Sequence, residues 1–240
     1  MYMKQLFAIL LLAVAMPLVA GAQVRLSVDE QSVQAAGGKK MTSERSLYLN
    51  ADGRLVVEQL RPQHTIALSN TLGEMRIYDT ASNEVAILND KEFASSKEMI
   101  SIFASGGYVD MALPLYGYNQ SDIRSENGLI IKTFKPQTTA ATAKVELVFQ
   151  NHLPICMIYY NAKGEEMRKL YFSRYQYERI PLPMRITEIE YTTAKSDSLV
   201  RLTTYSNLRF DFEANSELFD FQIPADAKRV EIDPNQLFAR

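Results

Sequence analysis

The sequence predicts a mainly β protein: one antiparallel sheet or barrel of about a dozen strands, interrupted by two short helices. From about residue 40 onward, short runs rich in Val, Ile, Tyr, Phe and Thr are separated by turn-forming residues. Most connections between these runs are short, which favours hairpins over βαβ units. One stretch, residues 90–118, loses the strand-like alternation and has helical spacing instead.

Composition excludes several classes of protein. The chain has 240 residues, 47% of them apolar, which is enough for a substantial core. It has 26 Lys and Arg against 28 Asp and Glu, and so balanced a charge argues against nucleic acid or an anionic membrane surface as the main partner. One Cys cannot form an internal disulfide, and one Cys with two His is too few for a structural zinc site. We expect no cofactor.

Residues 1–22 have the pattern of a secretory signal peptide. Lys4 supplies the positive charge, Leu6 to Ala15 is an unbroken apolar run, and Ala20-Gly21-Ala22 is a small-residue cleavage site. The apolar run is too short for a membrane-spanning helix. No Cys follows the cleavage site, so we expect a soluble, exported protein that begins at Gln23 and is not lipidated at its N-terminus. Residues 23–39 are polar and are predicted to be a loose N-terminal arm.

The strands then follow in order. The first run ends at Asn50-Ala51-Asp52-Gly53, where the Asp-Gly pair suits a hairpin turn. The second stops at Arg61-Pro62. The predicted strands are Lys40–Leu49, Arg54–Leu60, Thr65–Asn70, Met75–Asp79, Glu84–Asn89, Leu129–Phe134, Lys144–Phe149, Ile155–Tyr160, Met167–Phe172, Met184–Thr192, Leu199–Tyr205, Leu208–Phe212 and Phe219–Ile223.

The helical insertion at about 90–118 has its own start and stop signals. Ser95 and Glu98 have the spacing of a capping box, and Gly106-Gly107 would end the first helix. A second short helix would follow, limited by Pro114.

Several strands are apolar on both faces, which bears on function. In Ile155–Tyr160 both alternating sets are apolar or aromatic. Two apolar faces need two covers. The insertion can cover one face; sheet curvature, a partner or a lipid-like ligand can cover the other. A closed sandwich with a double core is the alternative.

Five stretches carry a resemblance to a known family. They are Gly53–Val57 with Arg61-Pro62, Met75–Asp79 with Glu84-Val85, Leu129–Pro136, Lys144–Phe149 with Leu153-Pro154 and Asn161–Gly164, and Asn215–Phe221 with Ile223-Pro224. Their order resembles that of the periplasmic outer-membrane lipoprotein carriers, the LolA-like proteins, and of the outer-membrane lipoprotein-sorting proteins. The chain departs from the carriers in its short N-terminal segment and in an extra hairpin at about 177–208.

The resemblance implies a fold and a function. The fold is a single domain over residues 40–233, followed by a tail at 234–240. Its curved antiparallel sheet forms an incomplete, half-open β-barrel of about 11–12 strands, with helices as a lid over the apolar concave face. The function is that of a non-enzymatic periplasmic carrier. Its partners are lipoprotein acyl chains or other lipids, with membrane-bound donor and acceptor proteins, and we expect a monomer. The alternative is a periplasmic structural or protein-interaction module without lipid.

The resemblance also points to site residues. The Arg of the Arg-Pro step holds the lid closed in the carriers, which makes Arg61 the candidate latch, with Arg45 and Arg54 as nearby competitors. A guanidinium can satisfy several carbonyl groups at once. The apolar candidates for acyl-chain binding on strands are Leu47, Leu49, Leu55, Val57, Met75, Ile77, Leu147, Phe149, Met157 and Phe210, and those on the lid are Met99, Ile100, Phe103, Leu113 and Leu115. His152 and Cys156 are close in sequence but lack an orienting acid, so we assign no catalytic residue and no metal site.

Overall fold

A computed structural model describes residues 24–191 and 198–231, and its strands join into one sheet of 14 strands. The strands are β1 (Leu26–Ala36), β2 (Lys39–Leu49), β3 (Leu55–Arg61), β4 (Thr65–Ser69), β5 (Glu74–Asp79), β6 (Glu84–Asn89), β7 (Tyr118–Glu126), β8 (Leu129–Pro136), β9 (Lys144–Gln150), β10 (Leu153–Tyr160), β11 (Glu166–Tyr177), β12 (Pro181–Tyr191), β13 (Ser198–Phe210) and β14 (Lys228–Val230).

The order of the strands explains how the chain forms one curved surface. It runs β14-β6-β5-β4-β3-β2-β1-β13-β12-β11-β10-β9-β8-β7. Each half is a meander of hairpins, and the antiparallel pairing of β1 with β13 joins the two halves. The sheet is curved but not closed into a barrel, so β14 and β7 remain as its edges. The expected half-open, mainly antiparallel sheet is confirmed.

Residues 91–116 interrupt the strands between β6 and β7. They form one α-helix, α1 (Met99–Ala104), and the short 3₁₀ helices Lys91–Phe93, Ser95–Lys97, Gly107–Val109 and Leu113–Tyr116. Glu98, not Ser95, precedes the first residue of α1. We call residues 90–117 the lid, because they cover one face of the sheet. Among the described residues, no helix is long and apolar enough to cross a membrane.

Several parts of the chain differ from the sequence-based expectation. The strands predicted at Leu199–Tyr205 and Leu208–Phe212 are one strand, β13, which ends at Phe210. The residues expected to form a loose arm are β1, which pairs along its length with β2 and β13. Gly37-Gly38 is therefore a hairpin turn, with φ of 53° and 77°. The sequence does not predict β7, because its residues are mostly polar and nearly all of its positions are exposed. The predicted strand Phe219–Ile223 begins instead in a 3₁₀ helix, Glu217–Asp220, before the short parallel strand β14.

Each face of the sheet has its own cover. The lid packs on the concave face, against a core that includes Leu26, Leu147 and Phe172. The C-terminal segment after β13 crosses the convex face, where Phe219 is fully buried and meets Tyr48 edge to face at 5.3 Å between ring centroids. The expectation of two covers for two apolar faces is thus met in part by the chain's own C-terminal segment.

Candidate functional site: the concave face and its lid

The lid fills the concave face with large apolar side chains. Phe103 of α1 is fully buried; its ring stacks on that of Tyr108 at 5.6 Å and lies 6.1 Å from that of Phe172. Because α1 has only six residues, its position depends on this packing more than on helix propensity. The residues buried together here are Leu26, Val28, Leu47, Leu49, Leu55, Ile100, Ile102, Phe103, Ala104, Met111, Leu113, Phe134, Val145, Leu147, Phe149, Met157, Leu170, Phe172, Ile180, Leu182, Ile186, Tyr205 and Phe210.

The apolar surface continues beyond the lid as a strip across three strands. In the pairing of β3, β4 and β5, Val57 lies opposite Ala67, and Ala67 lies opposite Ile77. Residues directly opposite each other share a face, so all three face the same side as Leu55. Val57, Ala67, Met75 and Ile77 are half-buried. We call these four residues the open strip; it extends the lid-covered core towards solvent.

A few polar contacts anchor the lid to the sheet. The fully buried Ser95 donates its hydroxyl to the Gly53 carbonyl at 2.6 Å, and its N–H bonds the Asn70 carbonyl at 2.9 Å. Further along, the Lys132 ammonium of β8 donates to the Val109 carbonyl at 2.7 Å. The start of the lid is therefore tied to two hairpin turns, and its middle to β8.

An ion pair with a buried carboxylate lies on the concave face next to the lid. Arg45 of β2 is opposite Glu30 of β1, and its guanidinium binds the Glu30 carboxylate through contacts of 2.7, 2.8 and 3.0 Å. Glu30 is only 5% exposed, and its other neighbour across the sheet is Tyr205. Burial raises the pKa of Glu98, the residue before α1, which also feels the charges of Arg45 and Glu30. Burial likewise raises the pKa of Tyr205.

A second carboxylate is neutralised on the same face. Glu188 of β12 is 8% exposed, and its carboxylate lies 2.6 Å from Arg168 and 3.2 Å from Arg201. Arg201 also donates to the Gln34 side chain at 2.9 Å. The concave face is therefore apolar under the lid and along the open strip, and ionic around Glu30 and Glu188, a division suited to a ligand with an apolar tail and a polar head.

The two cavities described near the lid and the sheet are small. The cavity beside α1, lined by residues including Leu49, Ser101 and Ala104, has a volume of about 50 Å³. A larger cavity of about 170 Å³ is polar and includes Ser27, Asp29 and Asn207 in its lining. Sites for small molecules usually have roughly 300–1,000 Å³. An acyl chain could therefore enter only if lid side chains move out.

The sequence-predicted apolar residues divide into three groups. Leu47, Leu49, Leu55, Ile100, Phe103, Leu113, Leu147, Phe149, Met157 and Phe210 are together in the lid-covered core, and Val57 and Met99 pack against it. Met75 and Ile77 belong to the open strip. Leu115 is 61% exposed.

Arg61 lies at the opposite end of β3 from the lid. Its side chain is 71% exposed and its partner is Glu44, at 3.4 Å. Leu55, at the other end of the strand, is under the lid; six residues of extended chain span roughly 20 Å. The placement gives no support to a latch at Arg61, which stays a prediction. Of its competitors, Arg45 is the one beside Glu98.

His152 and Cys156 do not form a reactive pair in the geometry described. His152 is an exposed residue of the β9–β10 turn, with φ of 66°. Cys156 is buried, which raises the pKa of its thiol to about 11. The thiol is therefore protonated at neutral pH and a poor nucleophile.

Sequence reasoning missed the charged part of the concave face. The alternation of Leu26, Val28 and Glu30 along β1 places the acid on the apolar face, but β1 was expected to be an arm. On β12, Glu188 comes two residues after Ile186 and therefore also lies on the apolar face. A search for charges at apolar positions of the alternation would have found both.

Comparison with solved structures identifies the fold. A LolA superfamily protein from Nitrosomonas europaea matches with a TM-score of 0.54 and 12% identity, over 79% of this chain and 87% of its own. A domain assigned to the outer membrane lipoprotein-sorting proteins, from Vibrio parahaemolyticus, has the same TM-score with 15% identity, over 83% and 90%. The chain has the LolA-like fold.

A third solved structure gives the same fold. The DUF1329 family protein from Desulfovibrio piger has a TM-score of 0.54 and 19% identity, over 84% of this chain and 90% of its own. No protein-family model matches the chain, and no curated protein does. The LolA-like fold thus agrees with the resemblance found in the sequence, while these identities relate the proteins by fold alone.

Proposed function

We propose that the protein is an exported, periplasmic carrier or binder of the acyl chains of lipids or lipoproteins. The observation that carries the proposal is an apolar concave face whose cover is a lid of short helices. The lid side chains Ile100 and Phe103 occupy the place that an acyl chain would take. Such a carrier would perform no covalent chemistry. It would receive the lipid or lipoprotein from a membrane-bound donor protein and release it to a membrane-bound acceptor protein.

The open strip supports an entry route. Val57 packs against the lid-covered core while Ile77 lies two strands further out on the same face. Burying a methylene contributes about 0.8 kcal/mol, so a chain of some 14 carbons could yield on the order of 10 kcal/mol. Displacement of the lid and loss of ligand freedom would offset part of this. The resulting affinity would allow both capture and release.

The test is displacement of an environment-sensitive apolar dye by a triacylated peptide. Val57→Gln and Ile77→Gln should each weaken acyl-peptide binding by roughly tenfold, since one lost apolar contact of about 1.4 kcal/mol has that effect. Leu68→Gln is the matched control, because Leu68 is half-buried on the opposite face of β4, beside Val56. If folded wild-type protein takes up neither dye nor acyl peptide, the carrier proposal fails.

The proposed location has its own test. The signal peptide predicted at residues 1–22 lies outside the described residues. The intact mass of protein from the periplasmic fraction should correspond to a chain that begins at Gln23. A mass that retains residues 1–22 would contradict export and processing.

One observation favours a second candidate, a structural or protein-interaction module without lipid. The cavity beside α1 has only about 50 Å³, as expected for a lid that stays closed. Under this alternative the lid would be a permanent part of the core. Native mass spectrometry of protein purified from a membrane-containing lysate would then show no lipid adducts.

A further inference from the structure

β7 is a long, open edge of the sheet. It pairs with β8 on one side, and it has no neighbour on the other side within the described residues. Eight of its nine positions are exposed, and Ile123 is 55% exposed near its centre. Edge strands are usually protected by charged side chains, Pro, a β-bulge or a cover. β7 contains no Pro, and its register shift lies between Gln120 and Asp122, so the outward N–H and C=O groups from Asp122 onward are available to another strand.

The side chains of β7 are divided between the two faces of the sheet. Ile123 lies opposite Lys132 of β8, on the concave side, where Ile130 is a further exposed apolar residue at 37%. Asp122 and Arg124 point to the convex side; the Arg124 guanidinium lies 3.3 Å from the Glu146 carboxylate. The edge thus has an apolar centre on one face, and on the other the neighbouring opposite charges of Asp122 and Arg124, with Glu126 at the end of the strand.

These charges make the strand complementary to itself. When two copies of one strand pair antiparallel about a twofold axis, one residue lies opposite its own copy. If that residue is Ile123, Asp122 lies opposite Arg124 of the second copy, and the reverse pair forms as well. The two Ile123 side chains would meet on the concave face, where the exposed Ile130 of each copy adds to the apolar surface. Opposite charges directly across a strand pair are stabilising.

The neighbouring registers are unfavourable. Centring the pair on Asp122 would place two carboxylates opposite each other, and centring it on Arg124 would place two guanidinium groups opposite each other. Like charges directly across a strand pair are destabilising. Ile123 is therefore the favoured centre in this part of the strand.

We propose that β7 pairs antiparallel with β7 of a second copy, centred on Ile123, so that the sheet continues through a symmetric dimer. This takes the place of the monomer expected from the sequence. The pairing uses the edge furthest from β14 in strand order and does not depend on lipid binding. Because one strand pair buries little surface, the dimer should be reversible and dependent on concentration.

Sedimentation equilibrium of purified protein tests the proposal, with two charge reversals as probes. Asp122→Lys would place the introduced ammonium group opposite Arg124 of the second copy, and Arg124→Glu would place the introduced carboxylate opposite Asp122. Each variant alone should therefore dimerise at least roughly tenfold more weakly. In an equimolar mixture both pairs become attractive again, because the introduced lysine meets the introduced glutamate while the native Arg124 meets the native Asp122. The mixture should regain the wild-type dimer constant as a heterodimer.

Two controls separate pairing from folding. Ile123→Lys should also abolish dimerisation, and Asp52→Lys, in the exposed β2–β3 turn, should leave the dimer constant unchanged. Circular dichroism should show that each variant is folded, which matters most for Arg124→Glu beside Glu146. A monomeric wild type at millimolar concentration would overturn the proposal. So would a dimer whose strength none of the β7 variants alters, since it would use another surface.

Discussion

The Ser95 hydroxyl donates to the Gly53 carbonyl oxygen at 2.6 Å, across 42 residues of sequence. This bond joins the first part of the lid to the β2–β3 turn. Ser95 is fully buried, so removal of its hydroxyl takes a buried hydrogen-bond partner from the Gly53 carbonyl. The contact is therefore well placed to control how readily the lid separates from the sheet.

We expect Ser95→Ala to loosen the lid without unfolding the sheet. Leaving a buried carbonyl unpaired costs about 1–3 kcal/mol. Amide hydrogen exchange across 95–104 should accelerate, while the strands β9–β12 keep their protection. Ser105→Ala is the matched control, because the Ser105 hydroxyl bonds the Ile102 carbonyl within the lid itself. Equal acceleration of exchange in both variants would show that the Ser95–Gly53 hydrogen bond does not control lid opening.

Gly73 should be intolerant of any side chain. Its φ is +99°, and a Cβ there would lie 2.3 Å from the carbonyl oxygen of Asp90, the residue at the start of the lid. Gly73→Ala should therefore lower the free energy of unfolding by about 3 kcal/mol or more, from strain and displacement together. Gly128→Ala has a similar positive φ but open space around it, and should cost only about 1 kcal/mol. Chemical denaturation of both variants compares them directly; equal losses would contradict the steric argument.

Arg45 and Arg61 should differ sharply in their contribution to stability. Arg45→Met would leave the buried Glu30 carboxylate without a cationic partner, at an expected cost of about 3–5 kcal/mol. Arg61→Met would remove an exposed pair with Glu44, which costs about 0–1 kcal/mol. Urea titration measures both values.

A double variant checks the cause of the Arg45 effect. Glu30→Leu together with Arg45→Met removes both charges and should recover most of the lost stability, because well-packed apolar residues replace buried ion pairs at little cost. A double variant as unstable as Arg45→Met alone would show that the loss comes from packing and not from the unpaired charge.

Much of the fold could be predicted because its strands alternate clearly. β3, β5 and β9 have runs of apolar residues between turn-forming residues, and their boundaries agree with the sequence to within one or two residues. β1 could not be predicted in this way. Its concave residues change from Leu26 and Val28 to Glu30 and Ser32, so the apolar period stops halfway along the strand. What makes it a strand is its long pairing with β2 and β13, which is a tertiary effect.

The candidate site was predictable only in its apolar part. Residues such as Ile100, Phe103 and Leu147 are apolar in a helical insertion or an alternating strand, and they are together under the lid. The opposition of Arg45 and Glu30 depends on register between two strands, which composition does not encode. The position of Arg61 was not predictable either. Its Arg-Pro step suggested a latch, but the length of β3 separates Arg61 from Leu55 and the lid-covered core.

Glu98 should make the lid sensitive to pH. Burial raises its pKa, an effect that Arg45 opposes and Glu30 reinforces, while the buried Tyr205 and the exposed Tyr116 stay neutral there. A carboxyl group with a raised pKa binds its proton more tightly in the closed state. The closed state is therefore favoured at acid pH and loses stability as the pH rises from the ordinary value, about 4.3, through the raised one.

Glu98→Gln removes this titration and should stabilise the closed lid at neutral pH. The variant should show slower hydrogen exchange across 99–116 than wild type at pH 7, and the difference should vanish below about pH 4, where Glu98 is protonated in both states. Glu92→Gln is the control, because the Glu92 carboxylate is 67% exposed and pairs with Lys97 at the lid surface. A Glu98→Gln lid that opens faster at pH 7 would mean that attraction to Arg45 outweighs burial, which would reverse the direction of the pH response.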